Sequence, residues 1–268
     1  MTAAKKVTVG IIGGLGWLGS ALLTSALANP KLNHVHFVVS SRRSPSKALG
    51  DRVTFTHDNQ YLAEQSTLVV LSVRPQDWPS LPLTKIDSTV MSFMAGTSCE
   101  AIQQRHHPTH LIRALPNGAC SVNQSYTPWF CASDLPSETE TLIVNLLDSI
   151  GYQDRYEHED QIDVLTAISG AGPAYPALLA QGLEQSAIAL GIPADKARKA
   201  VNATLQGSAA LSPDLSQSPG ETVALFESYQ GTTAAGLAAM KASGFSGAIE
   251  SGVRSAYLKA LHFNQPKD

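Results

Sequence analysis

Residues 7–28 read VTVGIIGGLGWLGSALLTSALA. The first six are β-branched or small, Val7 to Ile12, and predict a strand. Glycines then follow at 13, 14, 16 and 19. From Leu18 to Ala28 the run is helix-forming and is stopped by Asn29-Pro30. Strand, glycine turn and helix follow in that order, and Gly14-Leu15-Gly16-Trp17-Leu18-Gly19 fits the pattern GxGxxG. Each glycine has an expected task. Gly14 permits the tight turn, Gly16 lets backbone approach a pyrophosphate, and Gly19 lets the helix pack on the strand. The helix start offers free N–H groups and a partial positive charge to phosphates. Leu15, Trp17 and Leu18 fall within the same cradle and are expected cofactor contacts.

The second predicted strand, His34–Val39, runs into Ser40-Ser41-Arg42-Arg43-Ser44. An NAD site places a carboxylate about here, some 20 residues past the fingerprint, to hold the ribose hydroxyl. None is present. Two guanidinium forks are, and they suit a ribose 2′-phosphate. Ser41, Arg42 and Arg43 therefore point to NADPH, with NADH left open and Lys47 a further cation nearby.

Strands alternate with helical runs along the first half. Thr67–Val73 is almost wholly apolar, as a strand buried on both faces would be. Thr89–Met94, His110–Leu115 and Tyr152–Tyr156 are further strands, and Glu138–Ile150 is a helix. The expected fold class is α/β, an N-terminal Rossmann-type doubly wound, mostly parallel sheet. After Tyr156 the strand pattern disappears. Glu157-His158-Glu159-Asp160 reads as a solvated linker, and the domains are set at 1–157 and 158–268. Gln161–Ser169, Ala174–Leu190, Ala194–Leu211, Thr233–Lys241 and Ile249–Phe263 are predicted helices, with a loop over Ser212–Gly220. Their alanine bias gives helices with small apolar residues on several sides, which need a partner surface. A homodimer is expected, with an all-α C-terminal dimerisation domain.

The chain has 268 residues, 43% hydrophobic and 15% charged, with net charge −3. No basic surplus exists to neutralise nucleic acid, and no stretch is apolar and long enough to span a membrane. A small metabolite is the default partner. Lys5-Lys6 and Ala26-Leu27-Ala28 imitate a secretory signal, but five glycines between Gly10 and Gly19 fit a nucleotide turn instead. Cys99, Cys120 and Cys131 form no CxxC pair, so neither a zinc site nor a disulfide framework is indicated, and a cytoplasmic home with reduced thiols is expected. His106, His107 and His110 read as a solvated loop, Cys99 as an inert thiol, and Trp17 and Trp129 as packing residues. No metal is expected.

Several further segments resemble the pyrroline-5-carboxylate reductase family, nearly end to end. Leu71-Ser72-Val73-Arg74-Pro75-Gln76 is similar to its VKPQ segment, and Ala95-Gly96 to its AG turn. Arg113-Ala114-Leu115-Pro116-Asn117 is similar to RxMPN. Ser169-Gly170-Ala171-Gly172-Pro173-Ala174-Tyr175 resembles SGSGPAY, with Asp163 six residues before it. Gly191-Ile192-Pro193 is similar to GLP. Gly231-Thr232-Thr233 resembles the end of SPGGTT, extended by Gly236-Leu237. The resemblance implies reduction of 1-pyrroline-5-carboxylate to L-proline by hydride from NAD(P)H. It implies that Thr233, with Ser228 beside it, is catalytic, Thr233 hydrogen-bonding the imine nitrogen. It places the substrate on Ser169, Gly172, Pro173, Gly231, Thr232 and Thr233. Val73, Arg74, Pro75, Ala95, Gly96 and Asn117 are implied cofactor contacts, and rings of dimers are allowed. Read alone, Thr232 or Thr233 is a good N-cap for the helix that follows.

The departures fall in the substrate loops. The proline and first glycine of SPGGTT are here Tyr229 and Gln230, and MPNTP is here Leu115-Pro116-Asn117-Gly118-Ala119. Three alternatives stay open on those grounds. One is a reductase of a different cyclic imine acid, such as a six-membered ring. Another is a dehydrogenase of the prephenate or 3-hydroxyacid type, although Ala174–Leu190 lacks the lysine of the latter. The last is a non-catalytic NADPH-binding paralogue.

Overall fold

The computed structural model describes residues 7–211 and 215–262. Phe263 and the segment 212–214, at the end of one predicted helix and the start of one predicted loop, lie outside them. The described residues form two compact units, one within 1–173 and 256–268 and the other within 174–255.

The first unit is built on one eight-stranded sheet. Its strands are β1 (Thr8–Ile12), β2 (His36–Ser40), β3 (Val53–Thr56), β4 (Leu68–Leu71), β5 (Thr89–Ser92), β6 (His110–Ala114), β7 (Ser125–Cys131) and β8 (Gly151–Tyr156). The order is β3-β2-β1-β4-β5-β6-β7-β8. All neighbours pair in parallel except β6 with β7. The chain steps outward from β1 in one direction to β3, then returns to start β4 on the other side. That reversal opens a crevice at the carboxyl ends of β1 and β4.

Alternation sends apolar side chains to both faces. Val9, Ile11, Phe37, Val39, Leu68, Val70, Met91 and Ile112 share one buried cluster with residues of α1 (Trp17–Ala28) and α4 (Ser137–Asp148). Ile12, Val38, Val69, Leu71, Val90 and Leu111 share another with Leu62 of α2 (Asn59–Glu64) and Ile102 of α3 (Cys99–His106). Continuous apolar runs are thus what a sheet covered on both sides requires. The segment 7–28 is strand, turn and helix in that core, which accounts for its apolar character without a signal sequence.

Several elements were not expected from the sequence. β3 is half-exposed and reads VTFT, with too little apolar contrast to declare a strand. β7 contains Pro128, which disfavours a central strand. It is held because Leu115 N donates to Pro128 O at 3.0 Å, and β8 pairs along its length. The acidic stretch 157–160 is not a free linker. Glu159 opens α5 (Glu159–Leu165), and its carboxylate meets Arg113 Nη1 at 2.8 Å while accepting Cys99 N at 2.7 Å. Asp163, one turn on, meets Arg113 Nη2 at 2.7 Å. A buried arginine thus pins α5 to β6. Burial and the adjacent Glu159 carboxylate push the Cys99 thiol up to about 12, which favours the neutral thiol over the thiolate.

The second unit consists of α6 (Ala174–Ala189), α7 (Ala194–Leu211), α8 (Pro219–Ser228), α9 (Thr232–Ala242) and the first part of α10 (Phe245–His262). α8 begins inside the expected loop 212–220. Ser218-Pro219 is a helix start, with proline at the first position where its missing N–H costs nothing. Among the described residues α6, α8 and α9 bury none, and Leu178, Leu190, Leu225 and Tyr229 are exposed.

The expected histidine loop is also corrected at one position. His106 ends α3 and is fully buried. Its Nδ1 donates to Thr84 O at 2.8 Å, and its Nε2 accepts from Trp78 Nε1 at 2.9 Å. Those two bonds use the neutral ring completely. Burial, assisted by Arg105 and His107, holds its pKa below the ordinary imidazole value, against the pull of the Thr84 bond. Folding therefore favours neutral His106, and the unfolded chain takes up the proton first as pH falls. The contribution is complete above about pH 6.5 and is lost on acidification toward the lower folded value. Melting temperature measured between about pH 7.5 and about pH 5 should fall in the wild type. His106→Gln should melt lower at neutral pH, by roughly 1–3 kcal/mol of stability, but with a shallower acid slope.

Candidate active site: a dinucleotide crevice and an open helix start

The turn after β1 is organised by Gly13, one residue before the predicted Gly14. Gly13 has φ 79°, and a Cβ there would sit 2.3 Å from the Ser72 carbonyl oxygen. Only glycine fits. The amides of Gly13 and Gly14 both donate to Ser40 O at 3.0 Å, tying the turn to the end of β2. Gly14 instead serves close packing, since a Cβ there would lie 2.5 Å from Val39 Cγ1. Gly19 behaves as expected, with a Cβ reaching 2.6 Å from Gly13 O.

Gly16 is the N-cap of α1 and supplies no side chain to its amides, and no acid lies in the first turn. The first internal bond runs from Ser20 N to Gly16 O, so the amides of Trp17, Leu18 and Gly19 have no partner within the helix. By contrast α2 is capped by Asp58, and α3 by Ser98 with Glu100 in its first turn. The open, glycine-walled start of α1 fits a dinucleotide pyrophosphate. Trp17 is 70% exposed, which corrects its expected packing role. Its ring lies over Gly118, where a Cβ would approach Cζ2 at 3.1 Å. Trp129 does pack, buried with its Nε1 donating to Gln153 Oε1 at 2.6 Å.

The other expected cofactor residues lie at strand ends on this side of the sheet. Ser41, Arg42 and Arg43 follow β2. Val73, Arg74 and Pro75 follow β4, in a turn closed by Asp77 N donating to Arg74 O at 2.9 Å. Ala95 and Gly96 follow β5, with Gly96 at φ 59°. Leu15 is half-buried against the core cluster. Asn117 follows β6 and has a large structural load. Its amide N–H donates to Ser125 Oγ, its Oδ1 accepts from Ala119 N, and its Nδ2 donates to Ser169 O at 2.9 Å. Asn117 thereby joins the β6 exit to the segment SGAGP. Its first two residues end a π-helical turn over Thr166–Gly170, and residues 171–173 form the turn that leads into α6 at Ala174. Gly172 sits where a Cβ would be 2.7 Å from Ile168 O. Ser169 Oγ donates to Leu165 O at 3.1 Å, and Pro173 ends the first unit exposed.

The remaining expected residues belong to the second unit. Gly231, not a threonine, is the N-cap of α9, with no side-chain cap and no acid in the first turn. Thr232 and Thr233 are the first two helical residues, and both are exposed. Ala235 N donates to Gly231 O, leaving the amides of Thr232, Thr233 and Ala234 without a partner in the helix. The N-terminus of α9 is thus open to an anion, as that of α1 is. Ser228 ends α8, and its hydroxyl donates to Leu225 O at 2.7 Å. Gln230 is left-handed, φ 49°. Among the described residues no group of three His, Cys, Asp or Glu could hold a metal ion, and no helix is long and apolar enough to cross a membrane.

Two family models match successive parts of the chain. Residues 159–262 match the family model described as pyrroline-5-carboxylate reductase dimerisation. Residues 8–96 match one described as NADP oxidoreductase, coenzyme F420-dependent. Pyrroline-5-carboxylate reductase of Glycine max is 28% identical over 264 residues, covering 94% of each chain. The Synechocystis enzyme of that name is 28% identical over 265 residues, covering 95% of this chain and 97% of its own. Over nearly its whole length the chain is thus similar to pyrroline-5-carboxylate reductases. A solved family structure from Streptococcus pyogenes superposes with TM-score 0.81 at 27% identity, over 95% of this chain and 98% of that one. The Plasmodium falciparum structure, described with NADP bound, shares the fold at TM-score 0.80 and 20% identity over 98% of this chain and all of that one.

Two glycine experiments separate fold from binding. Gly13→Ala should destabilise the protein by at least about 2 kcal/mol in denaturant titration, because of its φ and the Ser72 carbonyl. Gly16→Ala, whose Cβ would lie 3.1 Å from Gly13 O, should cost less stability than Gly13→Ala yet weaken NADP⁺ binding at least about tenfold by calorimetry, as its Cβ obstructs the approach of a pyrophosphate. In the family's SPGGTT loop a glycine stands where Gln230 is left-handed. Gln230→Gly should raise stability by about 1 kcal/mol, seen as a higher melting temperature.

Proposed function

We propose that this protein reduces 1-pyrroline-5-carboxylate to L-proline with NADPH. The observation that carries the reading is the uncapped start of α9, with Thr232 and Thr233 in the family's substrate-loop sequence. It accompanies a dinucleotide crevice in which the loop after β2, residues 41–50, carries two arginines and no carboxylate. NADPH, when bound, supplies the hydride that the imine carbon accepts. The pyrophosphate is assigned to the amides of Trp17, Leu18 and Gly19, and the 2′-phosphate to Ser41, Arg42 and Arg43. Val73, Arg74, Pro75, Ala95, Gly96 and Asn117 are assigned to the rest of the cofactor, with Leu15 behind the turn.

The chain's own groups bind and orient. The partnerless amides of α9 suit a carboxylate, held by the helix dipole as well as by hydrogen bonds. The Thr233 hydroxyl both donates and accepts, so it can hold the ring nitrogen whether or not the imine is protonated. Ser228 uses its proton inside α8, which leaves its oxygen as an acceptor only. Ser169, Gly172 and Pro173 are assigned to the substrate through their rigid turn. Because an iminium is already a good hydride acceptor, positioning is the main requirement.

The helices that bury nothing among the described residues support a homodimer, in keeping with the dimerisation model that matches them. A ring of dimers belongs to the same reading. The three free cysteines suit a reducing, cytoplasmic setting.

The test is NADPH oxidation with 1-pyrroline-5-carboxylate for wild type and Thr233→Ala. Wild type should turn over, and the variant should lose roughly 10²-fold in kcat/KM while still binding NADPH. A clear preference of the wild type for a six-membered cyclic imine acid would replace the proline assignment. Cofactor binding without turnover of any imine acid would make it a non-catalytic relative.

A further inference from the structure

The loop after β2 carries both arginines assigned to the 2′-phosphate, and residues 41–50 form neither helix nor strand. The Arg42 side chain is 88% exposed, and its ion pair with Asp77, 3.4 Å long, is too open to fix it. Something else must hold this loop in place.

His57, the first residue beyond β3, bonds the loop through both ring nitrogens. Nδ1 lies 2.9 Å from Ser41 O, and Nε2 lies 3.3 Å from Ser44 Oγ. A carbonyl oxygen only accepts, so Nδ1 carries a proton. In the neutral ring Nε2 then accepts from the Ser44 hydroxyl. Arg42 and Arg43 are the two residues between those anchor points, and Arg43 N also reaches Ser41 Oγ at 3.4 Å. The ring itself is set from below. Phe55 meets it edge-on with centroids 4.9 Å apart, and β3 pairs with β2 up to Thr56 opposite Ser40. Beyond it Asp58 caps α2 through Gln60 N and Tyr61 N. His57 therefore stands between two fixed elements.

We propose that His57 is a positioning residue for cofactor selectivity, holding the Ser41–Ser44 loop so that Arg42 and Arg43 face a ribose 2′-phosphate. The inference rests on the NADPH reading. Its distinguishing feature is reach. The pyrophosphate turn is tied to Ser40 O by the amides of Gly13 and Gly14, with no bond to His57. Loss of the ring frees one end of the dinucleotide site and leaves the other intact.

Calorimetric titration with NADP⁺ and with NAD⁺ tests this on wild type, His57→Ala and His57→Asn, alongside melting temperatures. His57→Ala should weaken NADP⁺ about fivefold, the worth of a hydrogen-bonded anchor, with NAD⁺ changed less than about twofold. His57→Asn, whose amide can still donate to Ser41 O, should recover much of the loss. Equal weakening of both cofactors, or no weakening, would overturn the role of His57 while leaving NADPH in place. A wild type with no preference for NADP⁺ would instead overturn the 2′-phosphate reading, and the role of His57 with it.

Discussion

The left-handed turn at Gly13 is the constraint on which the first unit depends. Two consecutive amides converge on Ser40 O, so the end of β1 is fixed to the end of β2. The same turn brings backbone against the Ser72 carbonyl at the β4 exit, a distance no side chain tolerates. Three strand ends are thereby locked around one residue. The direction of α1 follows, and with it the direction in which its unbonded amides point.

Charge is arranged in keeping with that geometry. α1 and α9 both begin at a glycine that caps with no side chain, and neither has an acid in its first turn. α2 and α3 satisfy their first amides internally, through Asp58 and Ser98. A helix start left open leaves free N–H donors and half a positive charge at the surface. An anion compensates that deficit, which is why the two open starts fit a pyrophosphate and a carboxylate. Where the protein needs stability rather than an open site it supplies full partners, as in the Arg113 pairs with Glu159 and Asp163.

Much of this was legible in the residues. Apolar runs at 67–73 and 89–94 announced strands buried on both faces, and the glycine spacing announced the turn between β1 and α1. The 158–268 segment read as helical because its strand pattern vanishes. Other elements were silent for identifiable reasons. β3 and α2 lie partly exposed, so their apolar contrast is low. β7 hides behind Pro128, whose missing N–H is harmless only because of where its neighbours pair. Ser218-Pro219 is a readable start signal for α8, but with Pro213 six residues before Pro219 the whole stretch 212–220 reads as a loop.

The sequence by itself determined the class of fold, the position of the phosphate turn and the absence of a carboxylate from the loop after β2. These depend on local backbone preference and on side-chain period, which neighbouring residues express without the rest of the chain. Only the tertiary structure decided which glycine takes the positive φ, since that depends on the Ser72 carbonyl far along the sequence. It also decided that His106 is buried and neutral, that Glu159 serves an arginine, and that His57 grips the loop of Arg42 and Arg43. Those roles come from partners 13 to 46 residues away. Hydrogen bonds and ion pairs of that reach leave no period in the sequence, because they depend on strand register and on the packing of helices against the sheet.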